Sequence, residues 1–157
     1  MLKEIAEFFA ELTGGKHHSQ FSEGDYRLAA AALLVHVATI DHNLTAAGRD
    51  KLHAILKRRF DLADAATEEL IDAAAAADRD AIDLYHFTSL INRIFDAGGR
   101  QRLIEMMWET AFVDGRISEF EDNILWRVAD LVGVSQRDCI NIRRRIAGED
   151  SGTAKDD

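Results

Sequence analysis

The sequence has no proline, a single cysteine at Cys139, and an aromatic content of only 8%. Proline is the strongest helix breaker, so its absence leaves long helical segments uninterrupted. One cysteine excludes an internal disulfide framework and any cysteine-built zinc cluster within the chain. Long hydrophobic runs are missing as well. The longest, residues 28–40, is broken by His36 and Thr39. It falls short of the roughly 20 residues that cross a bilayer. Residues 1–12 lack a basic stretch followed by an apolar core, so they do not read as a signal peptide, and a cytoplasmic location is the expectation.

What is present points to helices. Alanine, the best helix former, occupies 24 of the 157 positions, and the 47% apolar content excludes a disordered chain. The net charge of −9 is concentrated. Residues 61–83 carry eight acids, Asp61, Asp64, Glu68, Glu69, Asp72, Asp78, Asp80 and Asp83, against the one base Arg79. Such a run forms either a solvated helix face or a surface for a basic protein partner.

Apolar positions recur with helical spacing along the whole chain, and no alternation long enough for a strand occurs. Leu2, Ile5, Phe8, Phe9 and Leu12 share one side of a first helix, with Glu4, Glu7 and Glu11 opposite. An acidic polar face suits docking on the protein body better than lying on a membrane. A helix from Ser22 or Asp25 to about Asp41 is apolar nearly all round, the mark of a central position. Thr45 caps a helix with Leu52, Ile55, Leu56 and Phe60 inward, and an alanine-rich helix covers residues 63–77. A helix carrying Leu84, Phe87, Leu90, Ile91, Ile94 and Phe95 should end at Gly98-Gly99, and the next spans about 100–113. Ser118 starts another with Phe120, Ile124, Val128 and Leu131 inward. Gly133 ends that helix, and Ser135 caps a last one through Ile146. The expected fold class is an all-α, single-domain bundle of about seven to eight helices. It divides into an N-terminal docking helix and loop at 1–21, a helical domain at 22–147 and a disordered polar tail at 148–157.

An internal repeat organises this bundle. Ala38-Thr-Ile-Asp41-His-Asn-Leu44-Thr45 matches Ala111-Phe-Val-Asp114-Gly-Arg-Ile117-Ser118. Leu52 aligns with Leu125, Ile55 with Val128, and Leu33-Leu34 with Met106-Met107 in the same register. Two similar helical hairpins, each a buried helix, an Asp, a short link and a capped helix, would build the core. Gly115 suits a left-handed residue past a helix end, and Ser118 with Glu121 forms a capping box. Asp41 and Asp114 are different, because a negative charge at a helix C-terminus opposes the dipole by about 0.3–1 kcal/mol. Either the N-terminus of the following helix or a bound cation would compensate. Asp41, Asp114 and Glu121 together would offer a divalent hard cation an oxygen-only site, although no EF-hand loop is present.

The doubled pattern resembles the TerB-like family associated with tellurite resistance, above all in Glu109-Thr-Ala-Phe-Val-Asp114-Gly115-Arg-Ile117-Ser-Glu-Phe-Glu121. The segment Asp83-Leu-Tyr-His-Phe-Thr-Ser-Leu-Ile-Asn92 is similar to the stand-alone bacterial branch. The resemblance covers residues 25–146. It implies two similar helical halves, a cytoplasmic or inner-membrane-peripheral setting, metal-binding acids and no established reaction. Carried over, those acids are Asp41, Asp114 and Glu121. The first copy departs from the pattern: His42 replaces the glycine, Gly48 stands where the second acid would be, and His36 replaces a frequent glutamate. At most one shared or second-copy metal site follows.

Other constellations carry less. No H-E-x-x-H, G-x-S-x-G, Walker A or G-x-G-x-x-G pattern occurs, so nothing argues for an enzyme. His17-His18 reads as an incidental pair, and His36, His53 and His86 as satisfied core histidines. Cys139 reads as a small buried apolar residue. Residues 129–145 resemble a helix-turn-helix, with Gln136 and Arg137 placed for a major groove and Arg143, Arg144 and Arg145 closing it. An acidic chain without a basic face argues against nucleic-acid binding. The functional expectation is a non-enzymatic module of a tellurite or other stress response, acting through a divalent metal or a docked protein.

Overall fold

The computed structural model describes residues 25–40, 43–81, 83–112 and 116–151. These residues form seven helices and, among the described residues, no strand: α1 Tyr26–Ala38, α2 Ala46–Phe60, α3 Asp64–Asp80, α4 Tyr85–Ile94, α5 Ala97–Ala111, α6 Glu119–Leu131 and α7 Gln136–Ser151. The helix and loop expected over residues 1–21, including His17 and His18, lie outside the described residues.

Short polar side chains set most of the helix starts, each taking up an orphan backbone N–H. Asp25 accepts from the Arg27 amide at 2.8 Å. Thr45 accepts from Gly48 at 3.0 Å, Asp96 from Gly99 at 2.8 Å and Ser135 from Asp138 at 3.1 Å. Ser118 and Glu121 form the reciprocal capping box. Two helices end on left-handed residues, α2 at Asp61 with φ 54° and α6 at Gly133 with φ 79°.

α1 is the central helix. It packs against α2, α3, α4, α5 and α6, and its residues from Leu28 to Val35 are all buried, as is Val37. Four successive alanines, Ala29 to Ala32, keep this helix thin, so its neighbours can approach closely on several sides at once. Around it lie the fully buried Leu52, Leu56, Leu70, Ile71, Ile91, Leu103, Met107 and Leu125. Each such side chain removed from water contributes on the order of 1.5–3 kcal/mol.

The repeat is larger than a hairpin. α1, α2 and α3 correspond in order to α5, α6 and α7, and α4 is the connector between the two units. The helix contacts keep the same pattern when the units are exchanged. α1–α3 pairs like α5–α7, α2–α3 like α6–α7, and the crossed contacts α2–α5 and α1–α6 also correspond. α1 meets α5 at the centre of this two-fold-like arrangement.

Several expectations need correction. Gly98 and Gly99 do not end α4, which stops at Ile94; they sit in the first turn of α5, capped by Asp96. A Cβ on Gly99 would come within 3.3 Å of the Asp96 carboxylate and the Phe95 ring, so this glycine lets the cap close. Phe120 is not inward but 61% exposed, while Leu125, Val128 and Ala129 form the buried stripe of α6. The last helix continues past Ile146 to Ser151, into the stretch expected as tail.

Candidate functional site

Of the three acids in the doubled motif, Asp41 and Asp114 lie outside the described residues, and Glu121 lies inside. Glu121 is half-buried in the first turn of α6, where its Oε1 accepts from the Ser118 amide at 3.3 Å. Its own amide donates to Ser118 Oγ at 3.1 Å. The capping box therefore engages one oxygen of Glu121, and its place in the motif has a structural reason. Among the described residues no three His, Cys, Asp or Glu side chains are arranged to hold a metal ion.

The structure puts a protein cation at the end of α5. Lys51, in the second turn of α2, donates from Nζ to the backbone carbonyl of Phe112, the C-cap of α5. A positive charge there answers both the unpaired carbonyls and the dipole of the helix end. No local sequence pattern signals this contact, since 61 residues separate the partners. It sets Phe112, the last described residue before the α5–α6 link, against a side chain of α2.

The acidic stretch meets a basic helix of the same chain. Arg49 donates to Glu68 at 2.7 Å and to Asp72 at 2.8 Å, and Lys57 to Asp64 at 2.7 Å. His53 lies between two carboxylates, with Nε2 2.9 Å from Asp64 and Nδ1 against Glu68. Carboxylates only accept, so both ring nitrogens must donate to satisfy both partners, and that requires the imidazolium. The bond to Asp64, with that to Glu68, accordingly raises the His53 pKa against partial burial. Lys57 and then His53 hold Asp64 below its usual range, and Arg49 does the same for Glu68. Farther along, His36 Nδ1 lies 2.8 Å from Asp78. Four of the eight acids are thus taken up by α1 and α2.

A second ionic seam joins the two units. Arg59 donates to Glu105 and Glu109 and Arg58 to Glu109, while Arg145, within the second unit, donates to Glu105 at 2.6 Å. Arg143 stacks over the fully buried Trp108, 5.5 Å from the ring centroid, and lies 3.6 Å from Asp122. Two of the three arginines that close the helix-turn-helix-like segment are therefore bound to this protein's own acids and rings, while Gln136 and Arg137 are exposed. Cys139 is buried, and burial pushes its thiol up.

The family model of tellurite resistance protein TerB matches residues 27–144, which is the span from the first turn of α1 to the middle of α7. The chain belongs to the TerB family. No curated protein and no solved structure matches it. The TerB match covers the first three-helix unit from Arg27 and the second as far as the middle of α7, and leaves residues 1–26 and 145–157 outside. None of the described helices of this TerB chain is long and apolar enough to cross a membrane. Its histidines are not core residues as expected: His86 is exposed, and His36 and His53 are half-buried and bound to carboxylates. The signal that was available is the basic spacing of Arg49, His53 and Lys57, which places one charge per turn on one face of α2.

Proposed function

We propose that this TerB-family chain acts without catalysis in a tellurite or other stress response, through a hard divalent cation taken up where the doubled motif leaves the bundle. Asp41, Asp114 and Glu121 would hold it. The observation that supports this reading is the contact between Lys51 of α2 and Phe112, which joins the helix after the first motif copy to the residue two positions before Asp114. An all-oxygen donor set suits Ca²⁺, Mg²⁺ or Mn²⁺ better than softer ions. Lys51 already places a positive charge at the end of α5, so the three carboxylates would have to outweigh its repulsion of the cation.

Isothermal titration with Ca²⁺, Mg²⁺, Mn²⁺ and Zn²⁺ tests the reading, using Asp41→Asn, Asp114→Asn and Glu121→Gln. Glutamine keeps the capping-box acceptor, so a loss of binding in Glu121→Gln cannot be blamed on a frayed helix. Binding to the wild type that weakens at least tenfold in each variant supports the site, and equal affinity in all four proteins removes it.

A second reading is docking of a basic protein partner on the acidic stretch. It draws on Asp61 and Asp80, which are exposed and have no ion pair among the described residues. Salt-sensitive binding of a cationic peptide that is lost in Asp61→Asn/Asp80→Asn would support it.

A further inference from the structure

Two open grooves flank the start of α1. The first is a cavity of about 420 Å³ between α1, α2 and the α4–α5 corner, floored by Phe60, Phe95, Leu103 and Met106. Its rim carries Tyr26 and Ile94, which are 40% and 48% exposed, and the guanidinium groups of Arg59 and Arg102. Tyr26 stands edge-on to both Phe60 and Phe95, with centroids 6.0 and 5.4 Å away. The second groove, over Leu28, Ala29 and Phe87, carries Asp80 and Asp83 against Arg93. Large apolar side chains left at a groove rim mark a surface that takes a partner.

The chain itself supplies a segment of the right chemistry. Residues 2–12 have one apolar face, Leu2, Ile5, Phe8, Phe9 and Leu12, and an acidic one, Glu4, Glu7 and Glu11. As a helix this segment is about 16 Å long. Residues 13–24 connect it to Asp25 and reach at most about 40 Å when extended. Tyr26, immediately after that connection, is already part of the first groove, so the tether is ample. Charge decides between the two grooves. At the first groove Arg59 and Arg102 outnumber Asp96, whose carboxylate caps the following helix, whereas at the second Asp80 and Asp83 outnumber Arg93 and would repel the glutamates.

We propose that residues 2–12 cover the Tyr26–Ile94 groove of their own chain as an amphipathic helix, apolar face down and glutamates toward Arg102. The inference is independent of the metal reading. Its occupant is neither a second copy nor a foreign protein.

The test uses the full chain with Phe9 replaced by the photo-crosslinker p-benzoylphenylalanine, irradiated at low protein concentration and mapped by mass spectrometry. The expected result is an adduct within one chain, falling on residues 94–106 or on Tyr26. An adduct on residues 77–87, an adduct only between two chains, or none at all overturns the proposal. A methyl NMR comparison of wild type with Phe8→Asp/Phe9→Asp checks it without a crosslink. The Met106 methyl, which lines the groove, should shift while that of the fully buried Met107 stays in place. An unmoved Met106 overturns the proposal.

Discussion

The ammonium of Lys51 in the first three-helix unit donates to the backbone carbonyl of Phe112 in the second. This bond closes the end of α5 at the place where the motif-bearing link departs. Lys51→Met keeps most of the apolar stem and removes the donor, leaving the helix-end carbonyl to water. A loss of about 1 kcal/mol is expected, lowering the melting temperature by about 2–4 °C in a domain of this size. An unchanged melting curve would show that water replaces the ammonium at no cost.

His53 makes the pairing of α2 with α3 depend on pH. Its folded pKa is raised, first by Asp64 and then by Glu68, so its contribution is fully present below the unfolded value of about 6.5. That contribution is lost as pH rises through the raised folded value. Asp64 and Glu68 are lowered, so theirs holds above about pH 4 and is lost as pH falls further. Urea unfolding of the wild type between about pH 5 and pH 9 should show falling stability across the histidine range. His53→Gln should flatten that fall, and an equal slope in both proteins counts against the imidazolium.

The Trp108 cluster separates burial from charge. Trp108 is completely buried, in edge-on contact with Trp126 at 6.1 Å. Trp108→Ala should cost about 3–5 kcal/mol through the lost transfer energy and the cavity left behind. Arg143 is 42% exposed in its side chain, so Arg143→Met should cost only about 1 kcal/mol from the lost ring contact. Chemical denaturation of both variants checks the ratio.

The two left-handed helix ends should respond in opposite directions. At Gly133 a new Cβ would meet nothing nearer than Arg100 Nη1 at 3.9 Å, so Gly133→Ala isolates the backbone cost. That cost is about 1–2 kcal/mol. Asp61 adopts the same region without being glycine, and Asp61→Gly should stabilise the protein by up to about 1 kcal/mol. Thermal unfolding of the pair would reveal whether either end is held by contacts other than its own backbone.

Much of the fold could be read from residue order because the relevant forces act locally. Thr45, Ser118 and Ser135 cap the helices they were expected to cap, and the apolar period marks Leu52, Ile55 and Leu56 as inward. The Gly98-Gly99 pair misled because a glycine pair is compatible with either end of a helix, and Asp96 decides for the start of α5. Phe120 misled because one large apolar residue at the first turn fits either side of an incomplete stripe. At the candidate metal site, sequence reasoning gave Glu121 its capping partner but had no means to find Lys51.

The sequence alone determined that this is an all-helical protein of repeated units with a concentrated acidic stretch. Helix propensity, capping and apolar period are properties of neighbours within a few positions, and a 73-residue repeat is visible without coordinates. Only the tertiary structure decided how the charges pair. It set Arg49, His53 and Lys57 against Asp64, Glu68 and Asp72, turned Arg143 and Arg145 toward the protein body, and brought Lys51 to Phe112. Such pairings join residues that lie up to 61 positions apart. They follow from how the helices pack within and between the two three-helix units, which no local pattern encodes.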